Sequence, residues 1–208
     1  MGKVKVLLLV ASITLLLYIS SCSLGEPDGV KVLIGEGPLV THYIDADSFK
    51  ILQHIGIGSV LITTGDSLEI YIRAQQNVID EMAFAFGNDI FAWGFKEQVN
   101  LREADSINLR IKMPNPIEGI YVSGIGDITL VGEKQESLYI GVIGLAEFRA
   151  YDLEVDVCEI QISGDATCRL FVNEEIKGAI TGSGEIFYKG NPEINVELRG
   201  DGKFWDSN

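Results

Sequence analysis

Hydrophobic and polar positions divide the chain into two regimes. From Val6 to Ile19 the sequence is apolar and uncharged, a run too short for the ~20 residues of a membrane-spanning helix. From about residue 41 onward apolar residues alternate with polar ones, and a period of two predicts strands. No helix of ordinary length is visible; Gln76 to Glu81 is expected to make one turn at most.

From about residue 118 the alternation becomes a repeat. Val122-Ser123-Gly124-Ile125-Gly126-Asp127-Ile128 aligns with Val142-Ile143-Gly144-Leu145-Ala146-Glu147-Phe148 and Ile162-Ser163-Gly164-Asp165-Ala166-Thr167-Cys168. Two further copies run Ile180 to Ile186 and Leu198 to Phe204. The first glycines stand at 124, 144, 164, 182 and 200, so the steps are 20, 20, 18 and 18. A fixed period of this size marks a solenoid. Val122, Val142, Ile162, Ile180 and Leu198 would form one inward column, Ile120, Ile140, Ile160, Gly178 and Val196 a second, and Ile128, Phe148, Cys168, Ile186 and Phe204 a third. At about 3.3 Å per residue one repeat closes a coil roughly 60 Å around. The expected fold is therefore all-β: a single-stranded parallel β-helix with 18–20-residue coils, preceded by a β-hairpin-rich N-terminal part.

The glycines are expected at coil corners, where they reach positive φ and let adjacent coils approach closely. The contraction from 20 to 18 is expected between strands, where Gly132 to Glu136 is longer than Lys189 to Pro192. Upstream, Val60-Leu61-Ile62 and Leu68 to Ile72 flank a compact turn at Thr64-Gly65-Asp66. Met82, Phe84 and Phe86, then Phe91, Trp93 and Phe95, predict a hairpin around Gly87-Asn88-Asp89 that caps the solenoid or offers a sugar an aromatic platform.

Composition narrows the function. The chain of 208 residues carries 30 acidic and 16 basic side chains, a net charge of -14, which argues against binding nucleic acid. At 47% hydrophobic it is too apolar to be disordered. Lys3 and Lys5 before the apolar run describe a secretory signal peptide, and Ile19-Ser20-Ser21-Cys22 resembles a bacterial lipobox, in which the cysteine carries the lipid. The expected organisation is a lipoprotein leader over 1–22, a flexible tether over 23–40, and one domain over 41–206, with N-terminal strands to 115 and regular coils from 116. Removing the leader removes two lysines, so the mature charge is -14 - 2 = -16.

Ser123-Gly124-Ile125-Gly126-Asp127-Ile128 and Gly182-Ser183-Gly184-Glu185-Ile186 resemble the auto-transporter adhesin head domain, the GIN domain. Gly58 to Ile70 is similar to that domain's opening strands, and Ile111-Lys112-Met113-Pro114 to the lead into its repeats, so the likeness covers about residues 41 to 206. The resemblance implies a right-handed β-helical fold in envelope lipoproteins and carries no catalytic residues to transfer. Ala146 and Ala166 depart from the pattern where the second glycine is expected.

Candidate chemistry is sparse. The outward residues Asp127, Glu147 and Glu185, with Asp165 and Asp201, are candidates for a calcium- or glycan-binding edge, although a solvated corner accounts for them more simply, since Thr167 interrupts the column. Arg149 and Arg169 beside Glu147 suggest a polysaccharide lyase wall, and cross-strand ion pairing explains the same residues without catalysis. His42 and His54 both lie upstream of the repeats, and no serine stands in a nucleophile elbow. Cys158 and Cys168 fall in inward columns as buried apolar residues, with a disulfide between them left open. These residues lead to a non-enzymatic, lipid-anchored envelope protein of the adhesin or binding-module kind, with the membrane, a glycan or a surface protein as partners and no cofactor. The alternatives are a carbohydrate-active enzyme and a structural protein that self-associates through its coil ends.

Overall fold

The structure, a computed structural model, describes residues 30–102, 104 and 106–208. The leader, Cys22 and the first part of the expected tether lie outside the described residues. Among the described residues the protein is all-β, with seventeen strands and one helical turn, α1 (Gln76–Ile79). Fifteen strands form one curled sheet, an open half-barrel. The other two, β1 (Lys31–Ile34) and β8 (Val99–Arg102), pair in parallel by themselves. The stretch expected as a tether therefore contains β1, with Leu33 buried, and the start of β2 (Leu39–Tyr43).

The repeats pair in parallel, each on the next, through β10 (Gly119–Val122), β11 (Ile125–Val131), β12 (Gln135–Val142), β13 (Leu145–Ile162), β14 (Asp165–Ile180), β15 (Ser183–Lys189), β16 (Glu193–Leu198) and β17 (Lys203–Asp206). Val122 faces Val142, then Ile162, Ile180 and Leu198, while Ile128 faces Phe148, Cys168, Ile186 and Phe204. β13 and β14 run through the bend unbroken. The first part of β13 pairs with β11 and its last part with β12, and this continuity curls the sheet. Ile120, Ile140 and Ile160 are completely buried, while Gln161, between buried Ile160 and Ile162, is exposed.

The corner glycines do one of the two things expected of them. None of Gly124, Gly144, Gly164, Gly182 or Gly200 has positive φ. A Cβ on Gly164 would stand 2.0 Å from the carbonyl oxygen of Gly144, and one on Gly144 at the same distance from that of Gly124. Close backbone approach, not a left-handed turn, excludes a side chain there. The second position of the motif is looser: a Cβ on Gly126 or Gly184 would meet only side chains, at 3.2 and 3.1 Å. Ala146 and Ala166 accordingly pair in unbroken register between Gly126 and Gly184.

The contraction from 20 to 18 also differs from expectation. Ala150 faces Leu170, a step of 20, but Glu154 faces Phe171, a step of 17, and from Val157–Glu175 onward the step is 18. The surplus residues Tyr151 to Leu153 form an irregularity inside β13, with Leu153 turned into the core. A bulge on the bend absorbs the length, and the loops 132–136 and 189–192 need not differ for that purpose.

A further copy of the motif lies upstream. β3 (Ile51–His54) and β4 (Ile57–Thr64) stack in parallel on β10 and β11, with His54 facing Val122 and Ile57 facing Ile125, a step of 68. A Cβ on Gly124 would stand 1.9 Å from the Gly56 carbonyl oxygen, so Gly56 occupies the corner column. The chain between supplies the end of the stack. The hairpin β6 (Met82–Gly87) and β7 (Ile90–Phe95) turns on Asn88 and Asp89, both left-handed at φ 51° and 62°, and β7 pairs with β3. Phe91 and Trp93 are buried, so this aromatic face caps the stack. On the other side β9 (Asn108–Met113) pairs with β4, then β5 (Glu69–Gln75) and β2 follow in antiparallel order. The strands flanking Thr64-Gly65-Asp66 are therefore not partners, since β9 lies between them.

Ile160→Asp should destabilise the protein severely while Gln161→Asp costs less than ~1 kcal/mol, measured by urea unfolding. By the same assay Gly164→Ala should cost about 3 kcal/mol, whereas Gly87→Ala, whose new methyl meets nothing within 4 Å, should change stability by less than ~0.5 kcal/mol.

Candidate functional site

The acidic residues expected to share an edge divide between two columns. Asp127 faces Glu147, which faces Thr167, Glu185 and finally Lys203. Asp165 belongs to the neighbouring corner column, between Leu145 and Ser183, and the Asp201 amide donates to the Gly182 carbonyl as that of Asp165 donates to Gly144. Ladder pairing brings Asp127 and Glu147 side by side, with Asp165 and Asp201 in the column next to theirs.

The two closest carboxylates are matched by the two arginines. Arg149 and Arg169 face one another across β13 and β14. Arg149 donates to Asp127 and, at 2.7 Å, to Glu147 Oε2, while Arg169 donates to Glu147 Oε1 at 2.5 Å. The ladder continues in aromatic form. The Arg169 guanidinium lies 5.6 Å from the Phe187 ring centre, and Phe187 stacks on Trp205 at 6.3 Å and 18°. All four charged side chains of the cluster are 37–45% exposed, so each pair is worth only ~0.2–1 kcal/mol. Among the described residues, no group of three or more His, Cys, Asp or Glu side chains is placed to hold a metal ion.

Sequence reasoning missed the apolar companion of this column. Ile55, Ile125, Ile143 and Leu145 flank the corner glycines and remain 50–68% exposed. Ile125 and Leu145, with Ile57, Gly58, Gly126 and Ala146, border a shallow groove beside Asp127, Glu147 and Asp165. The signal was present in the aligned copies: apart from Ser123, the residues on either side of the first glycine change from Ile and Leu in the early copies to Ser, Thr, Asp and Arg in the later ones. On the adjoining face Tyr121 and Tyr139 stack at 4.8 Å, and a Cβ on Gly141 would strike the Tyr121 ring at 2.8 Å. Burial raises the pKa of both phenols.

Neither cysteine nor histidine forms a catalytic group with these residues. Cys158 lies between Leu138 and Ile176, and Cys168 between Phe148 and Ile186, both as buried free thiols. Burial pushes the Cys168 thiol up to about 12 and raises that of Cys158 as well, so neither supplies a thiolate. His42 is exposed and bonds Gln76 at 2.8 Å, while His54 is wholly buried.

Residues 120–192 match the model of the family described as "Putative auto-transporter adhesin, head GIN domain". The likeness to that family covers this segment. The match lies inside the 41–206 span of the resemblance and leaves the capping strands outside it. Among solved structures the chain is similar to a "putative adhesin" from Bacteroides fragilis NCTC 9343, at 17% identity and a TM-score of 0.55, covering 83% of this chain and 98% of that one. It also matches a "putative adhesin" from Parabacteroides merdae ATCC 43184, at 14% identity, a TM-score of 0.40 and coverage of 86% and 100%. A third match is a "Putative lipid binding protein" from Parabacteroides distasonis ATCC 8503, at 17% identity, a TM-score of 0.42 and coverage of 86% and 100%. No curated protein matches. At such identities the Bacteroides likeness is one of fold.

In a double-mutant cycle, the coupling of Glu147 to Arg169 should be no more than ~1 kcal/mol and should shrink between 0.05 and about 0.5 M salt. A coupling of several kcal/mol that resists salt would place the pair in a desolvated site instead.

Proposed function

We propose that the protein is a non-enzymatic binding module of the adhesin kind, carried on a right-handed parallel β-helix and held at the bacterial cell envelope by a lipid on Cys22. The observation that carries the reading is the self-neutralised outer ladder. Arg149 and Arg169 are engaged by Asp127 and Glu147, so neither stands as a free base, and the groove beside them is open and shallow. Such a surface recognises a partner over an area and does not enclose a reacting group. The parallel steps of 20 and 18, with continuous inward columns, support the β-helical reading. The lipobox-like Ile19-Ser20-Ser21-Cys22 supports the anchor, and among the described residues no helix is long and apolar enough to cross a membrane.

The full chain expressed in a bacterial host should incorporate labelled palmitate and fractionate with membranes, and Cys22→Ser should do neither. Extracted with detergent and applied to a glycan array or whole cells, it should bind without depolymerising its target. Release of reducing or unsaturated ends, abolished by Arg149→Ala or Arg169→Ala, would instead establish an enzyme.

A further inference from the structure

His54 is the one ionisable residue in an inward column whose other members are Trp93, Val122, Val142, Ile162, Ile180 and Leu198. Its ring is completely buried. Nε2 stands 3.0 Å from the Ile125 carbonyl oxygen, to which it can only donate, so the neutral ring carries its proton there. Nδ1 has no hydrogen-bond partner, and neither does Nε1 of buried Trp93, whose indole meets the imidazole edge-on at 4.6 Å. The rings sit under the glycines of the second motif position. A Cβ on Gly126 would lie 3.3 Å from His54 Cδ2, and one on Gly58 3.2 Å from the Trp93 ring.

The elements around the ring present no charge. β7 contributes buried Phe91 and Trp93, β10 contributes Val122, and β11 contributes the Ile125 carbonyl, Gly126 and Ile128. Burial lowers the imidazole pKa from its ordinary value, and the carbonyls of Ile125 and Gly56 oppose this more weakly. A second proton would have to enter at Nδ1, placing a cation in an interior that offers carbonyl oxygens but no counter-charge.

The location gives this burial a consequence. β3 joins the repeats by a register step of 68, and after β4 the chain runs through β5 to β9, the last of them paired with β4, before it enters β10. The short link into the repeats, residues 114–118, starts from β9, which pairs with β4 and not with β3, so at β7, β3 and β10 ladder bonds and interior packing hold the seam together. We propose that His54 and Trp93 make the seam between β7, β3 and β10 an acid-labile joint, closed by the neutral imidazole and loosened when the ring takes a second proton.

The direction follows from linkage. Above the ordinary imidazole pKa of about 6.5 both open and closed forms are neutral at His54, and the residue adds no pH dependence. Below it the open form binds the proton and the closed form does not, so the opening constant rises by up to tenfold per pH unit until the lowered closed-state pKa is reached.

Hydrogen exchange of the full chain at pH 7.5 and 5.0, corrected for intrinsic rates, tests this against His54→Val, the residue that the column holds at 122 and 142. Native amides in β3, β7 and β10 should open at least tenfold more at pH 5.0 than at 7.5, relative to β14 and β15, and the variant should lose that difference. An equal pH response in both proteins, or one spread evenly along the stack, would overturn the proposal. So would an NMR titration of the native chain in which His54 changes charge at the ordinary imidazole pKa of about 6.5, a readout that does not depend on the variant folding.

Discussion

The structure rests on a steric constraint on the backbone at one point in each repeat. The Gly144 backbone lies so close to the Gly124 carbonyl, and that of Gly164 to Gly144, that no Cβ fits between successive copies. That contact lets the Asp165 amide reach the Gly144 carbonyl and the Leu145 amide reach Gly124, each at 3.0 Å. Once those bonds set the register, every column follows from strand alternation. Valine stacks on valine, Ile160 on Ile140, and the charged side chains are left outside.

The same register organises the surface. Because residues at equal offsets from the glycine must be neighbours, Asp127, Glu147, Arg149 and Arg169 are brought within bonding reach by stacking alone. Their mutual satisfaction leaves both arginines of this wall engaged by carboxylates. Apart from Ser123, aliphatic residues flank the early corners and polar ones the later corners, so the edge is amphipathic along the stack.

The repeats were legible in the sequence because equivalent positions are separated by nearly constant steps and alternate between two environments. The columns read from Val122, Ile120 and Ile128 are the columns found. What was not legible depended on contacts between distant segments. Gly56-Ile57-Gly58 is a copy of the motif, but its step of 68 hides it from a search at 20. β9 enters between β4 and β5, a placement that the short turn at Gly65 does not suggest. The role of the corner glycine was half legible, since composition shows that glycine is required and only the backbone geometry shows which constraint requires it.

A deletion tests the account most directly, because it separates register from composition. Removing residues 143–162 takes out one whole step of 20 and joins Val142 to Ser163, recreating the Val122-Ser123-Gly124 junction. Removing ten residues from the same region leaves every following strand half a coil out of register. The 20-residue deletion should unfold in urea as a single cooperative transition with native strand content, and the ten-residue deletion should not fold. Equal loss of cooperative folding in both, or tolerance of both, would contradict a structure built on stacked glycine corners.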